Sequence, residues 1–267
     1  MRIKITFKLS DASQVLPLNY QYPLSAWVYK VIEKGDSQFS TFLHEAGYQL
    51  ENLKTFKLFT FSNLLFPERG FRILKGTDRM EITAREISLI IAFMLPDALQ
   101  NFVAGLFSDQ QAEIGDKVSR VKMQVANIEM LPEQLPESTM RIRALSPLVV
   151  ARQTEADKQE QYLKPGDKDY ERLFFKNLCD KHHAWQGQTG QELTAFDSSA
   201  LKFRCLTQNP KSRLQTIKAF TSDEVKVRGY LFDFEISAPP ALISTGLGSG
   251  FGAMNALGFG CGEMVEY

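Results

Sequence analysis

Seven of the chain's 17 glycines fall in one stretch, GLGSGFGAMNALGFGCG (246–262). Two readings of that density stand side by side. Glycines serve tight turns and close packing, where a positive φ or a missing Cβ is required. Alternatively, the backbone N–H groups that they leave exposed form a cradle for phosphate. The residues concerned are Gly246, Gly248, Gly250, Gly252, Gly258 and Gly260. No dinucleotide fingerprint fits, because no βαβ unit follows Gly246-Leu247-Gly248-Ser249-Gly250, and the Gly-Lys-Ser/Thr of a P-loop is missing.

Proton transfer is the second chemistry within reach, through His44. The apolar residues around it, Phe39, Phe42, Leu43 and Ala46, share one side of a short helix. At about 100° per residue, His44 lies more than about 90° from the centre of that side. An imidazole there can exchange protons near neutral pH, and it is equally the place of an ordinary solvent-exposed histidine. Tyr29 points away from the stripe of Leu24, Trp27, Val28, Val31 and Ile32 in the same manner, either to serve a site or to pack under a loop.

Charge supplies a third signal. Lys202, Arg204, Lys211, Arg213, Lys218, Lys226 and Arg228 are opposed within their window by Asp223 and Glu224 alone. Such a window suits a nucleic-acid phosphate backbone, or else a solvated strand face. Arg69, Arg72 and Lys75 form a smaller basic cluster. RGYLFDF (228–234) matches the RNP1 pattern only in part, so Tyr230, Phe232 and Phe234 read as core. Cys179, Cys205 and Cys261 show no C-x-x-C spacing, which argues against structural zinc or disulfides, and no metal or cofactor is expected. His182 and His183 read as surface residues beyond a helix over 170–181.

Composition sets the frame for these residues. The 267 residues are 44% apolar, 11% aromatic and 23% charged, enough to bury a real core, which excludes a disordered or collagen-like chain. Lys plus Arg equals Asp plus Glu at 31 each, so nucleic-acid binding must rest on a local patch. No stretch resembles a signal peptide or membrane span, and a cytoplasmic protein is expected.

The elements that position the candidates follow from hydrophobic period. Ile3, Ile5, Phe7 and Leu9 alternate with Arg2, Lys4, Thr6 and Lys8 as a half-buried strand with a basic outer side. Helices are predicted from Pro23 to Gly35 and, capped by Asp36, up to Gly47. Residues 55–64, 71–74 and 80–83 read as strands, Ile87, Ile90, Ile91, Met94 and Leu95 as one face of a long helix, and 118–130 as a closing strand. The two prolines of LPEQLPES (131–138) mark a boundary between units at 1–131 and 139–267. The second unit reads as a strand interrupted at Pro147, a polar loop at 153–161 and the helix over 170–181. Strands at 201–206, 212–217 and 225–236, a short helix over 238–245 and a final strand over 258–265 complete it. The expected architecture is α+β, two tandem ferredoxin-like (RRM-like) folds with a C-terminal glycine-rich loop.

Taken in order, PLNYQYPLSAWVYKVI (17–32), FLHEAGY (42–48), KLFTFSNL (57–64) and the closing glycine motif strongly resemble the Cas-six family of CRISPR-associated endoribonucleases. LSPLVVAR (145–152) and the stretch from YLKPGDKDY to KNLCDK (162–181) fit the middle. The resemblance implies a metal-independent enzyme that cuts precursor CRISPR RNA within its repeats. Attack by the 2′-hydroxyl would leave a 2′,3′-cyclic phosphate and a 5′-hydroxyl. It also implies a site of His44, Tyr29 and Lys57, matched to the L-H-E segment, the preceding helix and the start of the K-L-F-T-F-S segment. Repeat RNA is the implied partner; the six glycines of the loop are expected to bind it, and the charge window adds Lys202, Arg204, Lys211, Arg213, Lys226 and Arg228 as candidate phosphate contacts. A CRISPR effector complex and a homodimer stay open as further partners. Some family members bind repeat RNA without cutting it, which is the alternative function.

Overall fold

In the computed structural model, the described residues are all those except 12–13, 51–53, 134, 154–159, 220 and 266–267. The first unit opens with β1 (Arg2–Leu9) and β2 (Gln14–Pro17), followed by α1 (Gln21–Gly35) and α2 (Ser37–Glu45). Asp36 caps α2 by accepting a hydrogen bond from the Phe39 N–H, as expected of an Asp at that position. Next come β3 (Tyr48–Gln49), β4 (Thr55–Phe56), β5 (Phe59–Phe61), β6 (Phe71–Ile73), β7 (Arg79–Ile82) and β8 (Glu86–Phe93). The unit ends with α3 (Pro96–Ser108), β9 (Gln111–Gly115) and β10 (Arg120–Met130).

The principal sheet is antiparallel in the order β5-β8-β1-β10-β9. Without the extra edge strand β9, this is the strand order of a ferredoxin-like βαββαβ unit. Leu24, Val28, Val31 and Ile32 of α1 and Phe102 and Leu106 of α3 pack on Ile3, Ile5 and Phe7 of β1 to form its core. Arg2, expected on the outer side of β1, is buried.

The predicted long helix at Ile87–Leu95 is a strand instead, with the helix beginning one residue later at Pro96. Ile87, Leu89, Ile91, Ala92 and Phe93 are essentially inaccessible. A strand buried on both faces reads as a continuous apolar run, and such a run satisfies helical spacing as well as any other. The β-branched isoleucines decide for the strand.

The second unit contains β11 (Thr139–Ala144), β12 (Ala151–Gln153), β13 (Glu160–Tyr162), α4 (Tyr170–Thr189) and β14 (Lys202–Cys205). It continues with β15 (Lys211–Ile217), β16 (Val225–Leu231), β17 (Asp233–Ser237), α5 (Pro240–Ser249) and β18 (Gly262–Val265). Its sheet, β14-β17-β11-β18, has the same ferredoxin-like order, so the tandem architecture holds. β15 and β16 form a separate hairpin inserted between β14 and β17. Most of the polar loop predicted at 153–161 lies outside the described residues. Among the described residues, no helix is long and apolar enough to cross a membrane.

Phe232 and Phe234 are buried in the second core, as expected of a sheet interior. The units also meet directly: α5 packs against β8 and β5, and the Asn63 N–H donates to the Leu145 carbonyl.

Candidate nuclease site and RNA surface

α2 ends at the point where His44 is exposed on its last turn, opposite buried Leu43. Tyr29 lies on α1, which packs against α2, and its ring meets that of His44 edge-on, with centroids 5.7 Å apart. The other side of the Tyr29 ring abuts Phe59 of β5 at 5.7 Å. The chain breaks between β4 and β5 at Lys57 and Leu58, where Leu58 adopts a φ of +51°. Lys57 was expected to be anchored within one continuous strand. Instead it sits in this kink, and its ammonium donates to the His44 carbonyl at 3.0 Å. The carboxyl end of a helix carries partial negative charge, which suits a cation. The three residues that family resemblance selects, 28 positions apart in sequence from Tyr29 to Lys57, thus share one spot.

Burial tunes two of them. Desolvation holds the Lys57 ammonium below the usual lysine range and pushes the Tyr29 phenol up to about 12. Like any tyrosine, Tyr29 is protonated at neutral pH and can donate a hydrogen bond. A cavity of about 380 Å³ opens beside them, lined by Tyr29, Lys57, Lys54 and Phe59 from the first unit and by Asn177, Lys181 and residues 253–257 from the second.

The glycine segment builds the far wall of this cavity. Gly246 and Gly248 were expected in a loop, but both lie within α5, Gly246 against the Phe251 ring and Gly248 against Met94. Gly250 (φ +90°), Gly252 (φ +71°), Gly258 (φ +88°) and Gly260 (φ +75°) take left-handed or related backbone conformations. A Cβ on Gly258 would stand 2.5 Å from the Phe61 ring, and one on Gly260 would stand 1.9 Å from the Phe251 carbonyl oxygen. The N–H groups of Gly250, Gly258 and Gly260 donate to the carbonyls of Gly246, Asn255 and Pro147. All six glycines are buried, so packing and turn formation account for them, while residues 253–257 face the cavity.

The basic window does not form one face. Lys202 and Arg204 lie on edge strand β14, where Arg204 is paired with Glu235 at 2.8 Å. Register places Lys211 and Arg213 on one side of the β15–β16 hairpin and Lys226 and Arg228 on the other. A cleft of about 1390 Å³ between the hairpin and the first unit takes in Arg213, Lys218, Lys226 and Lys117, with Phe66 and Phe71 on its apolar wall. In the smaller basic cluster, Arg72 is paired with Glu81.

Several residues that sequence reasoning passed over join the units. The Asn19 side chain donates to the Thr216 carbonyl at 2.7 Å and accepts from its N–H at 3.0 Å, so that it ties the hairpin to the first unit. Lys54 pairs with Asp180 at 2.8 Å. His182 was expected on the surface but is buried, with Nδ1 2.8 Å from the Thr245 hydroxyl. A helix that runs on to Thr189, instead of stopping at 181, carries it into the interior. Burial pushes its pKa down to about 4. Asn19 had no signal beyond its place before a helix, and a buried lysine or histidine has none at all. Among the described residues, no group of three or more His, Cys, Asp and Glu side chains could hold a metal ion.

The fold and the shared cavity define a tandem ferredoxin-like protein whose candidate site draws on both units. Two family models match in succession, CRISPR-associated protein Cas6, N-terminal, over residues 15–128 and CRISPR associated protein Cas6, C-terminal, over residues 130–264. The chain belongs to the CRISPR-associated Cas6 family. It is 28% identical over 269 residues to CRISPR-associated endoribonuclease Cas6 1 of Methanocaldococcus jannaschii, covering 100% of this chain and 93% of that relative. CRISPR-associated endoribonuclease Cas6 of Pyrococcus furiosus is 24% identical over 260 residues, covering 97% and 87%. The solved structure of the product of a Cas6-related gene from Pyrococcus furiosus shares the fold with a TM-score of 0.81 at 23% identity, covering 100% and 98% of the two chains.

Proposed function

We propose that this protein is an endoribonuclease that cuts CRISPR repeat RNA where Tyr29 and Lys57 line the cavity and His44, outside that lining, abuts Tyr29. The observation that carries this reading is the convergence of the three side chains on the end of α2, with the rings of Tyr29 and His44 in contact and Lys57 bonded to the His44 carbonyl. Those residue types suit RNA transesterification without a metal. The 2′-hydroxyl loses its proton and its oxygen attacks the adjacent phosphorus. The bond to the 5′-oxygen then breaks, and that oxygen takes up a proton. His44 serves one of these two proton transfers, worth about 10²–10⁴-fold. The Lys57 ammonium offsets charge on the phosphorane, and the protonated Tyr29 hydroxyl orients an oxygen of the reacting group. Relatives with endoribonuclease names across the full chain support the same class of activity.

RNA beyond the cut would follow the cleft that holds Arg213 and Lys226, with Lys211 and Arg228 flanking it on the hairpin, Lys202 and Arg204 contributing at its margin, and the six glycines shaping the wall at residues 253–257. The two units 1–131 and 139–267 would act as separate domains that grip one RNA.

The test is cleavage of the cognate repeat in excess EDTA. A discrete cut is expected, with a cyclic phosphate on the upstream product. The cut should vanish when one 2′-deoxynucleotide replaces the ribonucleotide just 5′ of the scissile bond, while binding persists. Binding with no cut would return the protein to a non-cleaving repeat binder, and efficient cutting of the deoxy substrate would overturn the mechanism.

A further inference from the structure

Lys181 is a lysine with 1% of its surface exposed. Its ammonium donates to the carbonyls of Gly250 and Gly252, the latter at 3.0 Å, and to Oδ1 of Asn255 at 3.0 Å. The neighbouring carboxylate, Asp180, is engaged by Lys54 and Lys176 instead. A buried cation held by carbonyl dipoles alone is costly to keep, since burial favours the neutral form. Each of its three hydrogen bonds lands on the turn at 250–255. Asn255 completes the clasp, because its Nδ2 donates to the carbonyls of Phe251 at 3.2 Å and Phe259 at 3.0 Å. With Nδ2 spent on those two carbonyls, Oδ1 is the end that faces the lysine, and both ends of the amide are committed.

The segment that this clasp shapes is also gripped by the first unit at two places. The Ser25 hydroxyl donates to the Ala256 carbonyl at 2.7 Å. Ser25 precedes Tyr29 by four residues on α1, so the grip falls one helical turn from Tyr29 and on the same side. The Thr60 hydroxyl donates to the Phe259 carbonyl at 2.9 Å, three residues along the chain from Lys57. Residues 253–257 therefore face Tyr29 and Lys57 across the cavity at a distance set from one side by Ser25 and Thr60 and from the other by Lys181 and Asn255.

We infer that Lys181 is a positioning residue for RNA cleavage: it fixes the turn at 250–255 so that the second unit's wall stands against Tyr29 and Lys57, and it acts through Asn255 and the glycine carbonyls. This rests on the nuclease reading above. A displacement of about 1 Å at a reacting centre can lower a rate by about 10²-fold.

The experiment compares K181M, N255A and the double variant with the parent protein in three measurements at a temperature where circular dichroism shows each folded. These are the single-turnover cleavage rate, repeat RNA affinity, and amide exchange across residues 250–258. For K181M the cleavage rate should fall at least tenfold with affinity held within threefold. Exchange at 250–258 should rise at least tenfold while Ile142 and Phe234 in the sheet stay protected. The double variant should cleave no more slowly than the slower single variant, because both substitutions open the same clasp. Multiplied rate losses in the double variant, or a slow K181M with unchanged exchange, would overturn the inference and make Lys181 an independent contact. Unchanged rate and exchange would overturn it as well. If K181M does not fold, N255A carries the rate and exchange comparison alone, and normal values there sink the proposal. If the parent protein cuts no RNA, the nuclease reading fails by itself, and the exchange arm still decides whether Lys181 holds the turn.

Discussion

The Lys57 ammonium donates to the backbone carbonyl of His44 at 3.0 Å, across a kink in which Leu58 adopts a left-handed φ of +51°. The kink separates β4 from β5 and turns Lys57 toward the end of α2. A continuous strand through Lys57 and Leu58 would send successive side chains to opposite faces. One strained backbone position thereby brings a cation to the turn that bears the exposed imidazole, and strain of that kind persists only where the surroundings enforce it.

His44 is exposed, so truncating it should remove the proposed proton transfer and little packing. H44A is expected to lower single-turnover cleavage by about 10²-fold or more while RNA affinity stays within a few fold. Equal losses in rate and affinity would show that His44 serves binding instead.

Tyr29 lines the cavity, and its ring contacts those of His44 and Phe59. Y29F keeps the ring, so its melting temperature should stay within about 3 °C of the parent. If the hydroxyl orients the reacting group, its removal should still slow cleavage by about 10²-fold. An undiminished rate in Y29F would reduce Tyr29 to a packing role.

His182 makes stability depend on acidity. Its folded pKa of about 4 lies below the ordinary 6.5, so the unfolded chain binds the proton more readily. The buried neutral ring costs nothing above about pH 6.5, and stability falls as pH drops from there toward 4. The full shift corresponds to about 3 kcal/mol. Urea melts at pH 7 and pH 4 should show that slope in the parent protein and a flatter one in H182Q, whose amide still reaches Thr245 and does not titrate. Identical slopes would show that His182 titrates normally.

Glycine substitutions should separate strain from steric collision. Gly76 has a φ of +75° with open space where a Cβ would go, so G76A should cost about 1–2 kcal/mol. Gly260 has the same φ but would drive its Cβ into the Phe251 carbonyl, and G260V should cost at least twice as much. Thermal melts check this order, and RNA affinity measured in the cold, where each variant is folded, should stay within a few fold of the parent. Weak RNA binding by a well-folded G260V would revive a direct phosphate cradle.

Much of this protein was legible from local pattern. The alternation of Ile3, Ile5 and Phe7 and the capped helix after Asp36 follow from the period and chemistry of near neighbours. The candidate trio was legible through ordered motifs and the polar-face placement of His44 and Tyr29. Local pattern fails where burial is two-sided, so β8 passed for a helix, because an apolar run loses its period once both faces are covered. It also fails for polar groups whose partners lie far along the chain. Lys181 meets Gly250 and Asn255 some 70 positions away, Asn19 meets Thr216 at 197, and neither side chain advertises its partner. The glycine run was conspicuous, but its purpose was not. Only the packing of Phe61, Val149 and Phe251 against those positions shows that a missing Cβ is what the fold requires there.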